Sequence, residues 1–230
     1  KRWIPDRHRG LASGIVAYSA AQGGAITPAD LSDYRSSQGN ARRVAVGMVS
    51  AALPGPSTGA GAFSASLIDN LTRAGGGDTA AATQTALRRT LSSFGVQSVP
   101  PDLGSTGFAA VDANGQAAAC AVTMNGPFGS GHTAGDTGVT LAAAPSSPAG
   151  IASAFLMPVI ASDASGQFSL AGAGAGGPNG SGAIAYALMR LAAGQPVARQ
   201  SDLRSTGLEP VATVNVISCQ NGLCVALTDP

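Results

Sequence analysis

Two runs of alternating apolar and polar residues, at positions 104–111 and 116–124, form the clearest pattern along this chain. They flank the sequence Asp112-Ala113-Asn114-Gly115. Because Asn-Gly between two alternating runs is a strong short-range signal for a tight reversal, the pattern predicts a β-hairpin. The type of turn then decides which side chains of the two strands face each other.

The hairpin has two candidate registers. A two-residue loop would pair Ser105 with Met124, whereas a type I turn followed by a left-handed glycine bulge would pair Ser105 with Thr123. The order Asp-x-Asn-Gly favours the second register. It places the hydroxyls of Ser105 and Thr123 on one face, with Asn125 two residues further along on the same side.

This hydroxyl cluster has the composition of a nucleophilic site but contains no histidine that could activate a serine. Another base arises if the chain is cut just before Ser105, because a free α-amine titrates near neutrality and can accept the hydroxyl proton. The alternative interpretation is a surface hairpin with incidental serine and threonine residues.

Three segments in and after the hairpin resemble the start of the small subunit of the gamma-glutamyltranspeptidases, which are self-cleaving N-terminal-nucleophile hydrolases. They are Ser-Thr-Gly-Phe-Ala-Ala-Val-Asp from residue 105, Val-Thr-Met-Asn-Gly-Pro-Phe-Gly-Ser-Gly from residue 122 and Ala-Gly-Asp-Thr-Gly from residue 134. The resemblance extends upstream to Gly-Gly-Ala-Ile-Thr-Pro-Ala-Asp-Leu-Ser-Asp-Tyr at 23–34, similar to a motif of the family's large subunit.

The resemblance implies a role for each residue of the cluster. Ser105 takes the place of the catalytic threonine, Thr106 that of a second threonine near the substrate, and Thr123 that of a threonine that contacts the nucleophile. Asn125 takes the place of an asparagine that helps to position the substrate. The resemblance also implies self-cleavage between Gly104 and Ser105.

Other elements follow from periodicity and capping signals. Thr27 is the predicted N-cap of a helix with Pro28 at its first position. The other predicted helices cover residues 11–22, 62–71, 78–94 and 181–193. The other predicted strands cover residues 44–52, 139–142, 154–161, 167–170, 211–219 and 224–228. Residues 95–104 are interpreted as a polar linker that contains Pro100-Pro101, and His132 as a loop residue rather than a base or ligand.

The glycine-rich segment at 172–177 has three interpretations. Alone it matches the dinucleotide-binding fingerprint G-x-G-x-x-G, but no second strand ending in Asp or Glu follows about 20 residues on. The family resemblance instead aligns Gly176 and Gly177 with a glycine pair whose N–H groups, at the positive end of a helix, suit an oxyanion. A low-complexity linker is the third interpretation.

The chain departs from the family at the contacts to a charged substrate. Ala144 and Ser147 stand where the family has a Gln and an Asp that hold the substrate's α-amino group, and Ala154 and Phe155 replace its paired serines. The family's carboxylate-binding arginine falls upstream of this chain. We therefore expect an acyl group less charged than γ-glutamyl, with glutathione a poor substrate. The alternative is a catalytically silent binding or structural module.

Composition excludes some classes of protein. Only 11% of the 230 residues are charged, the net charge is +1, and no basic run with interleaved aromatics suggests nucleic-acid binding. No apolar stretch reaches the roughly 18 residues of a membrane span, and no signal peptide is seen. The chain begins with Lys-Arg-Trp in a basic lead-in over 1–10 and is interpreted as a processed chain or fragment.

Two of the three cysteines could pair. A two-residue turn on Asn221-Gly222 would place Cys219 opposite Cys224 within disulfide reach, which would imply an oxidising compartment. Two small buried hydrophobic residues are the alternative. Cys120 is predicted to be a core residue.

Strands mixed with Ala-rich helices predict an α+β protein with two stacked sheets flanked by helices. The resemblance narrows this to a four-layer αββα sandwich in which the segments 1–104 and 105–230 form one domain and stay associated after cleavage. It implies an amide hydrolase or acyltransferase that acts on a small-molecule amide or peptide in the periplasm or outside the cell. No metal or other cofactor is expected.

Overall fold

The computed structural model describes residues 9–74, 80–97, 103–144, 153–197, 213–220 and 222–227. The α-helices in these residues are α1 (Arg9–Ala21), α2 (Pro28–Asp33), α3 (Gly59–Arg73), α4 (Ala80–Ser93) and α5 (Pro178–Ala192). The strands are β1 (Arg42–Val46), β2 (Val49–Leu53), β3 (Ser105–Val111), β4 (Ala117–Thr123), β5 (Pro158–Ser162), β6 (Phe168–Ala175), β7 (Thr213–Gln220) and β8 (Leu223–Leu227). The predictions for residues 1–8, Pro100-Pro101 and Ser147 lie outside the described residues.

The strands form two antiparallel sheets. A six-stranded sheet has the order β1-β2-β5-β6-β7-β8, and β3 and β4 form a separate two-stranded sheet. Strand β2 pairs with β5, so residues from both sides of the predicted cleavage point share one hydrogen-bonded sheet. The prediction of a mixed protein with two sheets and helices is therefore confirmed.

The sheets and helices are stacked in layers, with β6 in the middle. A Cβ atom added to Gly107 of β3 would lie 2.6 Å from the Cβ of Ala173, so Ala173 faces the hairpin. A Cβ atom added to Gly174, the next residue of β6, would overlap the backbone of Gly180 in α5. Because successive strand residues face opposite sides, α5 and the hairpin cover opposite faces of the six-stranded sheet.

The core lies between the six-stranded sheet and the helices. Helix α5 is apolar and almost completely buried, with Ile184 and Leu188 fully inaccessible. Helix α3 contacts β1 and β2, and α4 packs against α3 and α5. Phe63 of α3 makes an edge-to-face contact with Phe155, with ring centroids 4.8 Å apart. Such burial of apolar surface is the main stabilising term of the fold.

The turn of the central hairpin fixes the register as predicted. The carboxylate of Asp112 accepts hydrogen bonds from the backbone N–H groups of Asn114 (2.8 Å) and Gln116 (2.9 Å). Gly115 adopts the left-handed conformation, at φ 79°. Ser105 therefore pairs with Thr123, and the type I turn with a glycine bulge is confirmed.

The turn between β5 and β6 repeats this arrangement with the sequence Asp-Ala-Ser-Gly-Gln. The Asp163 carboxylate accepts from the Ser165 hydroxyl (2.6 Å) and from the backbone N–H groups of Ser165 (2.8 Å) and Gln167 (2.9 Å). The Ser165 side chain, followed by the Gln167 backbone, lowers the pKa of Asp163 below its ordinary value of 3.8. Both hairpins thus have turns stabilised by an aspartate side chain that accepts hydrogen bonds from the backbone.

Two other local predictions are confirmed. Thr27 caps α2 in a reciprocal capping box: its hydroxyl accepts from the Asp30 N–H at 3.2 Å, and its own N–H donates to the Asp30 carboxylate at 2.7 Å. The Thr27 hydroxyl, which donates to the Asp30 carboxylate at 2.7 Å, and then the Thr27 backbone N–H lower the pKa of Asp30. Cys219 and Cys224 are paired across β7 and β8 and joined by a disulfide. No helix among the described residues is long and apolar enough to cross a membrane.

Several predicted strand boundaries are wrong. The apolar run at 44–52 is two strands of a tight hairpin, because Gly47 is left-handed at φ 56° and reverses the chain next to the exposed Met48. The run at 154–161 becomes extended only at Pro158, after a short 3-10 turn at 153–155. The predicted strand at 139–142 contributes a single bridge, between Thr133 and Thr140.

The glycine-rich segment is the other correction. Strand β6 does not end at Leu170 but runs through Ala175, so Gly172 and Gly174 are strand residues. The lack of a side chain at Gly174 allows the backbone of α5 at Gly180 to approach β6 closely, whereas a Cβ atom on Gly172 would crowd β7 and the Ile184 side chain. The segment is therefore neither a phosphate-binding loop nor a linker.

Candidate active site

The candidate site lies at the end of the hairpin that carries Ser105. Alternation along β3 turns Ser105 and Gly107 toward the six-stranded sheet, where Gly107 is buried against Ala173. The side-chain amide of Asn215, on β7, donates a hydrogen bond to the Gly107 carbonyl at 2.5 Å. These contacts hold the start of β3 over the end of β6, which Gly176 follows.

The hydroxyl oxygen of Ser105 accepts a hydrogen bond from the backbone N–H of Gly176 at 2.9 Å, across 71 residues of sequence. Ser105 and Gly176 are both partly buried. A backbone N–H is a rigid donor, since the start of α5 fixes its direction. It therefore holds the Ser105 oxygen in one position.

Thr123 contacts the peptide group just before Ser105. Its hydroxyl donates a hydrogen bond to the carbonyl oxygen of Gly104 at 2.6 Å and accepts one from the backbone N–H of Asn125 at 3.0 Å. The bond to Gly104 polarises the carbonyl of the Gly104–Ser105 peptide. This is the bond at which the family resemblance implies cleavage.

Gly104 is held in a conformation that few other residues could adopt. Its φ is 46°, in the left-handed region, and a Cβ atom there would overlap the backbone of Gly126 and Pro127. Leu103, one residue earlier, is 5% exposed and packs against Gly177. The two residues before Ser105 are thus fixed on both sides.

Asn125 is the only non-glycine residue with positive φ among the described residues, at 59°. Asparagine tolerates this conformation better than most residues. Its side-chain amide donates to the Ala143 carbonyl at 3.1 Å and so connects the end of β4 to the segment that carries Ala144. Ala144 is exposed and has no polar side chain to offer a ligand.

Gly176 and Gly177 stand at the N-terminus of α5, as predicted. Gly177 is the N-cap residue, with φ 63° and ψ −136°, a backbone conformation that is essentially restricted to glycine. The helix dipole adds a partial positive charge at this end. Such a terminus can stabilise a negative oxygen next to Ser105.

Other candidate residues lie away from this cluster. Thr106 is exposed and pairs with Val122 on the outer face of the hairpin, opposite to the face of Ser105. His132 is exposed in a loop. Phe155 is a core residue, 3% exposed. Cys120 is only half-buried and pairs with the exposed Phe108, so the prediction of a core cysteine is wrong.

The site contains few charges. None of the side chains in the contacts around Ser105 is ionisable. Among the described residues, no group of three or more His, Cys, Asp or Glu side chains could hold a metal ion. The chemistry that this arrangement allows is attack by a hydroxyl on a polarised carbonyl, with hydrogen-bond donors around the developing charge.

Sequence reasoning missed Leu103, Gly126 and Asn215. Leu103 is an apolar residue at the end of a polar linker, and this contrast is the one signal in the sequence that indicates its burial. Asn215 is a polar residue within an apolar strand. Its position in the alternation indicates which face of the strand it occupies but not that it bonds to Gly107. The contact between Gly104 and Gly126 joins residues whose proximity depends on the hairpin register and the loop after it.

No protein-family model matches the chain, and no match was found among curated proteins.

Proposed function

We propose that this chain is a self-cleaving N-terminal-nucleophile amide hydrolase or acyltransferase, similar to the gamma-glutamyltranspeptidases, that is cut between Gly104 and Ser105. The observation that carries the proposal is the 2.6 Å hydrogen bond from the Thr123 hydroxyl to the Gly104 carbonyl. A hydroxyl donor on the peptide carbonyl beside a fixed serine is the arrangement that acyl transfer to that serine requires.

Self-cleavage begins when the Ser105 hydroxyl attacks the Gly104 carbonyl carbon. The Thr123 hydroxyl stabilises the negative oxygen that forms, and the C–N bond breaks as the Ser105 nitrogen takes up the proton that the Ser105 hydroxyl has lost. The product is an ester between Gly104 and the Ser105 oxygen. Water then hydrolyses this ester, which leaves a carboxylate on Gly104 and a free α-amine on Ser105.

The new α-amine supplies the base that the sequence lacks. It accepts the hydroxyl proton as Ser105 attacks the carbonyl of a substrate amide, and it returns the proton to the leaving amine. Thr123 and the N–H groups of Gly176 and Gly177 stabilise the oxyanion, while Asn125 helps to position the acyl group. Water or an acceptor amine then releases the acyl group from the serine.

The finer fold and location belong to the same proposal. The layers formed by α3–α5, the six-stranded sheet and the hairpin have the order of three layers of an αββα sandwich, with the fourth expected over the outer face of the hairpin. Pairing between β2 and β5 supports the expectation that 1–104 and 105–230 stay associated. The disulfide supports a periplasmic or secreted protein.

A catalytically silent module is the competing function. Two observations favour it: Thr106 lies on the opposite face from Ser105, and the exposed Ala144 offers no polar contact to a substrate. In that case the hairpin would be a structural element, and the chain would remain uncut.

Mass spectrometry of the purified chain distinguishes the two functions. We expect two fragments, ending at Gly104 and beginning at Ser105, in wild type. Ser105→Ala should remain intact because it lacks the attacking oxygen, whereas Ser105→Thr should still cut. Thr106→Ala is the matched control: it removes a neighbouring hydroxyl on the other face and should be cut normally. An intact wild-type chain would favour the silent module.

A further inference from the structure

The space occupied by Leu103 and Gly104 has the features of an acyl-binding subsite. In self-cleavage, Gly104 supplies the carbonyl that is transferred to Ser105, so residues 103 and 104 are the first acyl group that the site handles. A later substrate must place its own carbonyl carbon next to the same Ser105 oxygen and its carbonyl oxygen near the Thr123 hydroxyl. The end of the first segment, at Leu103 and Gly104, must leave this space after the cut, and the acyl group of the substrate then extends into it.

The surroundings of Gly104 restrict the atom next to the carbonyl. A Cβ atom on Gly104 would overlap the backbone of Gly126 and Pro127. Backbone atoms cannot rotate away as a flexible side chain can. The carbon beside the carbonyl of the acyl group must therefore carry no branch in the L configuration, a condition that an unbranched CH₂ meets.

The surroundings of Leu103 restrict the next group. Leu103 is 5% exposed, belongs to the buried apolar cluster and has its Cδ1 within 2.9 Å of the position of a Cβ on Gly177. No charged side chain is found among the described contacts of Leu103 and Gly104. A charged group placed here would lose its hydration without gaining a partner.

We infer that the acyl substrates of this site are neutral amides with an unbranched CH₂ next to the carbonyl and a leucine-sized apolar group beyond it, as in an N-acylated leucyl-glycyl amide. This inference rests on the proposed function, because it requires Ser105 to accept acyl groups after the cut. It specifies the substrate class: peptides or amides that release a hydrophobic-residue-glycine acyl group.

The inference is tested by measuring the hydrolysis of anilides by the wild-type protein, so no variant that could misfold is needed. Mass spectrometry first verifies that the protein is cut. The substrates are the anilides of acetyl-Leu-Gly, acetyl-Leu-Ala, acetyl-Asp-Gly and γ-glutamate. We expect kcat/KM for the Leu-Gly anilide to exceed that for the Leu-Ala anilide by about 10- to 200-fold, the usual effect of one carbon that a pocket cannot accommodate. The Asp-Gly and γ-glutamyl anilides should be slower by at least about tenfold, because their charges have no partner.

The outcomes separate this inference from the proposed function. Equal or faster hydrolysis of the Leu-Ala, Asp-Gly or γ-glutamyl anilide by the cut protein would overturn the subsite while self-cleavage stands. A cut protein that hydrolyses none of the four would also overturn it. An uncut protein without activity on any of them would refute the proposed function, and the inference with it.

Discussion

Replacing Thr123 by valine should slow the proposed self-cleavage, and the decrease in rate should be larger than the change in packing can explain. Valine has nearly the shape of threonine, so the packing of β4 is retained while the hydroxyl is lost. Three hydrogen bonds disappear: the one donated to the Gly104 carbonyl at 2.6 Å, a longer one to the Leu103 carbonyl at 3.4 Å, and the one accepted from the Asn125 N–H at 3.0 Å. Only the first acts on the carbonyl under attack.

The size of the effect follows from the role of that donor. Loss of one hydrogen-bond donor to a developing oxyanion typically costs a factor of about 10² to 10³ in rate. We expect a decrease of this size in the rate constant of cleavage for Thr123→Val. Thr123→Ser retains the hydroxyl and should stay within about tenfold of wild type, since a lost methyl group mainly affects packing.

The assay is a time course of cell-free synthesis, with cut and uncut chains separated on a gel and the cleavage point checked by mass spectrometry. Stability is compared separately in the Ser105→Ala background, where both chains stay uncut and melting temperatures report packing alone. Wild-type cleavage rates in Thr123→Val would refute the assigned role. Equal slowing in the serine variant would indicate that Thr123 acts through packing.

Three further predictions concern neighbouring features. Gly104→Ala should slow the cut and destabilise the chain by more than about 1 kcal/mol, because alanine disfavours positive φ; unchanged cleavage and an unchanged denaturation midpoint would contradict the steric restriction at Gly104. Replacing Cys219 and Cys224 by alanine should cost about 2 kcal/mol in denaturant unfolding, from the entropy of the short loop they close, and reductant should then no longer affect stability. Asp163→Asn should lower the melting temperature at pH 7. Because the folded pKa of this carboxyl is depressed below 3.8, its contribution is present above that pH and is lost as the pH falls through the folded pKa. The melting temperatures of the two proteins should therefore converge in acid.

Local chemistry determined the features that sequence analysis predicted correctly. The Asp112 carboxylate, with glycine three residues later, specifies one turn and therefore the pairing of Ser105 with Thr123. The capping box of Thr27 and Asp30 fixes the start of α2 in the same way. The contact between Cys219 and Cys224 depends on a turn only two residues long. In each case the interacting groups lie within about a turn or a short hairpin, so their geometry follows from a few residues.

The same locality explains the errors. An apolar run does not show where a strand reverses. The pattern at 44–52 therefore predicts one strand, although the chain forms a hairpin at Gly47. Glycine usually weakens a strand, but Gly174 lies in β6 because the backbone of α5 approaches too closely for a side chain, and Gly172 lies there because β7 and Ile184 leave no room for one. That approach is a property of packed layers, which no local signal contains.

The residues of the turn specify the hairpin register and thus which hydroxyls share a face. The contacts that those hydroxyls make depend on how the layers pack. The bond from Gly176 to Ser105 spans 71 residues, and the packing of Leu103 on Gly177 brings together segments that are similarly distant in sequence. Such contacts exist only when the hairpin stacks on β6 and α5 begins at the strand's end. Their energy is collective burial rather than local propensity, and a pattern of single residues cannot specify it.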